Sequence, residues 1–165
     1  MVVVLIIGIL IAIALPTFLG ARKRSQDRAA QSNARSGFSN AKVVYTDTDS
    51  YIDSATMLTK LNAAEPALQW SNGVSGAANV VSVNVPGAAT NGVAANQIVG
   101  LAALSDSGTC FLLVDYEATP TNAGGTAGVH YGDTATAANC DGTHAISGIT
   151  PTAANDSPQD AASGW

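Results

Sequence analysis

The chain has 165 residues, with 7 basic and 12 acidic side chains, 47 % hydrophobic residues and 5 % aromatic ones, a length that fits one domain with a single core. Its charges are segregated. Residues 1 to 21 hold none, the seven basic residues (Arg22, Lys23, Arg24, Arg28, Arg35, Lys42 and Lys60) lie between positions 22 and 60, and Leu61 to Trp165 contain eight acids and no Lys or Arg. The first sixty residues therefore sum to +3 and the other 105 to −8. That distribution argues against an ordinary cytosolic enzyme, and against a nucleic-acid binder built on the acidic part, because phosphate contacts need Lys and Arg.

Val2 to Leu15 is a run of fourteen non-polar residues, and the uncharged stretch continues through Ala21. As a helix, 21 residues span about 32 Å, enough for a hydrocarbon core of about 30 Å. Apolarity on every face fits a helix surrounded by lipid or by other helices. The side chains offered to them are Val2, Val3, Val4, Leu5, Ile6, Ile7, Ile9, Leu10, Ile11, Ile13, Leu15 and Phe18. A cleaved signal peptide competes, with Ala12-Ile13-Ala14 as its small-residue site, but no basic segment precedes the run. Pro16 lacks an N–H and its ring opposes the carbonyl of Ala12, so it is expected to loosen or kink the preceding turn. Gly8 adds backbone freedom upstream. The segment between them is the expected place of bending.

The helix is expected to continue to about Tyr45, with Ala30, Ala34, Phe38, Ala41 and Tyr45 as an apolar stripe. Three alanines make the stripe shallow, so its partner must approach closely. Asp27 and Arg28 begin the charged opposite face. Thr46-Asp47-Thr48-Asp49-Ser50 prefers turns and caps. The chain thus divides into an apolar helix (1–21), its amphipathic continuation (22–46) and a head (47–165).

The segment from Met1 to Phe18 resembles the amino-terminal segment of type IV pilins and pseudopilins, with Gly8 and Pro16 eight residues apart and an aromatic, Phe18, two residues past the proline. The Arg22–Asp27 stretch and Tyr45 to Tyr51 are also similar to some bacterial pilins. The resemblance departs at the start. Met1 aligns just beyond the glutamate of the family's Phe-Thr-Leu-Ile-Glu-like stretch, so the prepilin peptidase site, the N-methylated terminus and the acid linked to registration are not in this sequence. A start assigned too late, or a sequence given without its first residues, is the expected reason. Arg22-Lys23-Arg24 after an apolar helix would ordinarily mark the cytoplasmic side, whereas the resemblance implies an external head. Cys110 and Cys140, two cysteines without a metal or thioredoxin signature, favour a disulfide and an oxidising compartment, and closing that loop is worth about 3–4 kcal/mol. The external placement is preferred.

For the head, the expected fold is α+β, the long helix packing on an antiparallel sheet as the resemblance implies. Asp53 or Ser54 is a candidate cap for a helix from Ala55 to Ala64 that stops before Pro66. Asn79 to Val85, Gln97 to Leu104 and Thr109 to Glu117 read as strands, with Ser105 to Gly108 as a hairpin loop and Val129 to Gly132 as a further strand. The Gly-, Ala- and Thr-rich remainder is expected to be ordered to about Ile149 and looser beyond.

Sites for chemistry are sparse. His130 and His144 read as loop residues, and Cys140 with His144 completes no zinc pattern. Asp47, Asp49 and Asp53 resemble part of a calcium loop, but Tyr51 stands where a third carboxylate belongs, so turn-forming acids are preferred. Asp115 and Glu117 share a strand face as possible paired carboxylates, and solvated strand residues are the preferred reading. No enzyme, cofactor or metal is expected, and nine rings over the whole chain argue against an electron-conducting stack.

The resemblance implies a structural subunit, a major pilin held in the cytoplasmic membrane and then polymerised through its apolar helix into an extracellular type IV pilus. Its implied partners are identical subunits, the membrane, and the assembly platform, ATPase and prepilin peptidase, with no nucleic acid along the shaft. Arg22, Lys23, Arg24, Asp27 and Arg28 are candidates for charge pairing between subunits. A minor pilin or secretion pseudopilin, a membrane-anchored binding domain that does not polymerise, and a secreted enzyme behind a cleaved signal are the alternatives.

Overall fold

A computed structural model of the chain describes residues 2–121 and 125–151. The fold is α+β. Helix α1 runs unbroken from Val2 to Thr48, through Pro16. It ends where Asp49 takes a left-handed φ of 53° while donating its N–H to the carbonyl of Tyr45, a conformation asparagine and aspartate tolerate better than most residues. Helix α2 (Ser54–Ala64) is capped by the Asp53 carboxylate, which accepts from the N–H groups of Ala55 and Thr56. Strands β1 (Gln69–Ser71), β2 (Val80–Asn84), β3 (Ile98–Leu104), β4 (Cys110–Tyr116) and β5 (Gly128–Thr134) form one sheet in chain order, and helix α3 (Gly142–Gly148) follows.

The sheet is antiparallel except at its first pair, where β1 runs parallel to β2 with Trp70 opposite Val81. The Ser105–Gly108 turn between β3 and β4 closes with Gly108 at φ 90°, a position that suits glycine. β1 and α3 are additions to the sequence reading. The two histidines are corrections to it: His130 is a buried residue of β5 and His144 lies in α3, neither in a loop. The expectation of a looser chain beyond Ile149 falls, from residue 152 on, outside the described residues.

Both faces of β3 and β4 are covered, which explains why these strands are apolar throughout instead of alternating with polar residues. Val99, Leu101, Phe111 and Leu113 join Val81 and Val83 in a core against α1. Ile98, Ala102, Leu112, Val114 and Tyr116 point the other way, onto Cys140, Ala145, Ile146 and Ile149. The buried line of α1 is Ala30, Ala34, Gly37, Ala41 and Val44, with Phe38 and Tyr45 on its flank and only partly buried. The centre of the stripe shifts because Gly37 lets the backbone reach the sheet. A Cβ there would stand 2.9 Å from Leu101 Cδ2 and 3.1 Å from Trp70 Cζ3. Gly37→Leu is expected to destabilise the protein by about 1–3 kcal/mol through overpacking, against a helix-propensity gain of up to about 1 kcal/mol, and the shift of the urea midpoint checks it.

Candidate functional site: the α1 surface and its attachment to the head

The first turns of α1 project away from the head. Val2, Val3, Val4, Leu5, Ile6, Ile7, Ile9, Leu10, Ile11, Ile13, Leu15 and Phe18 are all at least half exposed. No part of the most apolar stretch of α1 is buried, and the helix is long and apolar enough to cross a membrane. A Cβ added at Gly8 would meet nothing within 4 Å, so packing inside a single chain gives no reason for a glycine there. At Pro16 the helix persists, and the neighbouring Thr17 hydroxyl donates to the carbonyl of Ala14 at 2.9 Å.

Arg22, Lys23, Arg24 and Arg28 follow as exposed residues, and among the described residues none of them forms an ion pair. The Arg24 guanidinium folds back along the helix, Nε donating to the carbonyl of Gly20 at 3.4 Å. Asp27, the acid within this collar, is engaged by its own chain. It accepts hydrogen bonds from the hydroxyls of Ser105 (2.8 Å) and Ser107 at the β3–β4 turn. The clasp anchors the lower edge of the head to α1 nearly two turns above the apolar segment.

A second attachment lies higher. Asp115 on β4 is 1 % exposed, and it shares the α1-facing side with Phe111 and Leu113. Tyr51 donates its hydroxyl to Asp115 at 2.5 Å and approaches Glu117 at 3.0 Å. Lys42 of α1 donates to Asp115 at 3.3 Å and contacts Glu117 directly. Its ammonium lies 5.3 Å from the centroid of the Tyr45 ring. The expectation of solvated carboxylates is thus corrected: Asp115 lies on the core face of β4, Glu117 just past the strand is partly buried, and a lysine and a tyrosine from the α1 side make the burial tolerable.

Burial raises the pKa of Asp115, assisted by the hydrogen bond and charge of Glu117 and opposed by Tyr51 and Lys42. Burial acts in the same direction on Glu117, but hydrogen bonds from Lys42, Asp115 and Tyr51 outweigh it and leave that pKa lowered. Burial and both carboxylates raise the Tyr51 phenol far above its usual range, keeping it a donor. The two acids therefore contribute to stability with opposite pH dependence. Glu117, lowered in the fold, stabilises above its ordinary pKa, and that contribution is lost as pH falls through the folded value. Asp115, raised in the fold, contributes most in acid and loses that contribution as pH climbs through its folded pKa. Glu117→Gln is expected to cost about 1 kcal/mol at pH 7, since the Lys42 side chain is 43 % exposed, and progressively less below pH 4.5. The cost of Asp115→Asn should be larger at pH 3 than at pH 7. Urea unfolding at the two pH values reads both.

Cys110 and Cys140 are joined in a disulfide between the start of β4 and the segment leading into α3. Among the described residues no three His, Cys, Asp or Glu side chains converge as a metal site would require. Asp53 serves as the α2 cap, and the Thr56 hydroxyl, followed by the backbone N–H groups it caps, lowers its pKa. In comparisons with known proteins, no family model matches the chain, and no curated protein or solved structure gives a significant match.

Proposed function

We propose that the chain is a filament subunit whose working surface is the exposed apolar half of α1. The observation that carries this reading is the single helix that serves two environments. Its second half is fixed to the sheet by the small-residue stripe, the Asp27 clasp and the Lys42 cluster, while its first half leaves a dozen large apolar side chains without a partner in the subunit. Apolar area of that size needs lipid or protein around it. At about 1.5–3 kcal/mol per large side chain, burying it is worth roughly 20–35 kcal/mol relative to water, which would hold a finished filament together.

The resemblance of Met1 to Phe18 to type IV pilins supplies the form of the assembly: identical helices in the filament core, acidic heads outside, and a membrane-held store of subunits beforehand. Lipid is as apolar as a helix bundle, so moving the helix from one to the other gains little. Extraction therefore requires an external motor, a role suited to the family's assembly ATPase and platform. The basic collar would face acids of neighbouring heads. A minor pilin or pseudopilin would share this amino terminus and differ in abundance.

Electron microscopy and mass spectrometry of filaments sheared from the producing cells test the reading. Abundant filaments composed mainly of this chain are expected. A chain that stays with the membrane fraction and enters no filament would make it an anchored binding domain instead, and a mature start near Leu15 would make it a secreted protein with a cleaved signal.

A further inference from the structure

Arg24 and Arg28 stand four residues apart on one face of α1, together with Ala21 and Ser25. With Lys23 they line a groove of about 460 Å³ between the helix and the head, completed by Gln31, Thr109, Phe111 and Asp133 beside the clasped Asp27. Three cations there meet two carboxylates, and one of those, Asp27, already accepts the hydroxyls of Ser105 and Ser107. From Arg22 to Arg28 the helix rises about 9 Å, enough to pass through a headgroup layer of about 5–8 Å on one side of a bilayer. The groove therefore lies where headgroups begin if the apolar stretch fills the hydrocarbon core.

The direction of the Arg24 side chain is informative. Its guanidinium lies back over Gly20, whose Cβ, if it had one, would be 3.9 Å from Nη2, so the charge is held toward the apolar end of the helix. This is where a phosphate at the membrane surface would be met. Guanidinium groups bind phosphate through paired hydrogen bonds, and Gln31 and Thr109 offer polar atoms to a hydroxylated headgroup. From residue 61 on, the chain has acids but no Lys or Arg, so the rest of the head is repelled by an anionic surface while the collar is drawn to it.

We propose that, in the unassembled subunit, this groove binds the headgroup of an anionic phospholipid of the phosphatidylglycerol kind, fixing how deeply α1 sits and holding the head off the membrane. The proposal rests on the membrane-held state described above and is independent of polymerisation. On assembly the headgroup would be exchanged for carboxylates of neighbouring heads.

The test uses the full chain as isolated subunits in detergent and in nanodiscs, with native mass spectrometry counting retained lipid. Phosphatidylglycerol is expected to be retained at least tenfold better than phosphatidylcholine with the same acyl chains, and the preference should weaken with salt. The double variant Arg24→Gln/Arg28→Gln should lose most of the preference, while Lys60→Gln, on α2, should keep it. Equal retention of the two lipids, or an undiminished preference in the double variant, overturns the proposal. So does displacement of the lipid by millimolar inorganic phosphate, which would make the groove a free-anion site. Failure of the helix to enter the nanodisc is a separate outcome, and it would overturn the membrane-held state itself together with this site.

Discussion

Replacing both Cys110 and Cys140 by alanine is expected to lower the unfolding free energy by about 3–4 kcal/mol, the value of closing a loop of this separation, 30 residues. The loss should be concentrated on one face of the sheet. α3 has seven residues, too few to persist without tertiary support, and it offers the sheet little more than Ala145, Ile146 and the following Ile149. Its seat is shaped by backbone. A Cβ on Gly100 would lie 2.1 Å from the carbonyl oxygen of Gly142, and one on Gly142 would lie 2.6 Å from the amide of Asn84. Ser82 accepts the Gly142 N–H at 3.0 Å, and buried Ser75 ties the same region together, its N–H donating to the carbonyl of Cys140 and its hydroxyl accepting from Leu104.

These contacts require correct placement and bury little apolar surface, so the covalent link decides whether they form. Hydrogen exchange should show α3 and the strand face beneath it losing protection first, while the α1-facing core of Val81, Leu101 and Leu113 keeps its own. Urea unfolding of the alanine double variant, beside wild type with and without reductant, gives the magnitude. An unchanged midpoint would mean that the α3 layer holds by packing alone.

The elements legible in the sequence are those whose signal is local. The helix α1 is announced by an apolar run followed by a helical stripe, α2 by Asp53, β2 by alternation ending at Pro86-Gly87, and β3 and β4 by apolar runs on either side of Ser105 to Gly108. The parts that were not legible depend on distant partners. β1 has three residues, Gln69-Trp70-Ser71, and becomes a strand only because Val80 to Ser82 lies parallel beside it. α3 is written in poor helix formers, and its local traces are the Asp141 cap, which receives the His144 N–H at 2.7 Å, and the spacing of Ala145, Ile146 and Ile149. Asp115 was misplaced because charge on a strand ordinarily means solvent. Its parity with Phe111 and Leu113 pointed to the core, but the lysine that makes such burial tolerable stands 73 positions away. Gly37 and Val44 carried a weaker signal than the aromatic residues beside them, and it took the close approach to Trp70 to bring them to the centre of the stripe.

Ile9→Asp is expected to abolish filament formation and to weaken storage in the membrane while leaving the head folded. Ile9 is 54 % exposed in the isolated chain and lies well inside the apolar run, so on the proposed reading a carboxylate there would meet hydrocarbon before assembly and neighbouring helices after it. Insertion alone should become less favourable by about 3–4 kcal/mol, the cost of the Asp plus the lost gain of the Ile, and in the proposed filament core the same charge would be buried without a counter-ion, which costs several kcal/mol more for each subunit. The head should not respond, because among the described residues its hydrogen-bonded and buried attachments to α1 begin at Asp27 and Ala30. The urea midpoint of the detergent-solubilised variant should therefore match wild type while filaments disappear from cell surfaces. Gly8→Leu sharpens the comparison. A side chain at Gly8 meets open space in the single chain and adds only apolar surface, so membrane retention and head stability should both survive. Loss of filaments in that variant would place Gly8 where neighbouring helices come closest. Normal filaments would instead leave its backbone freedom upstream of Pro16 as the property to be tested.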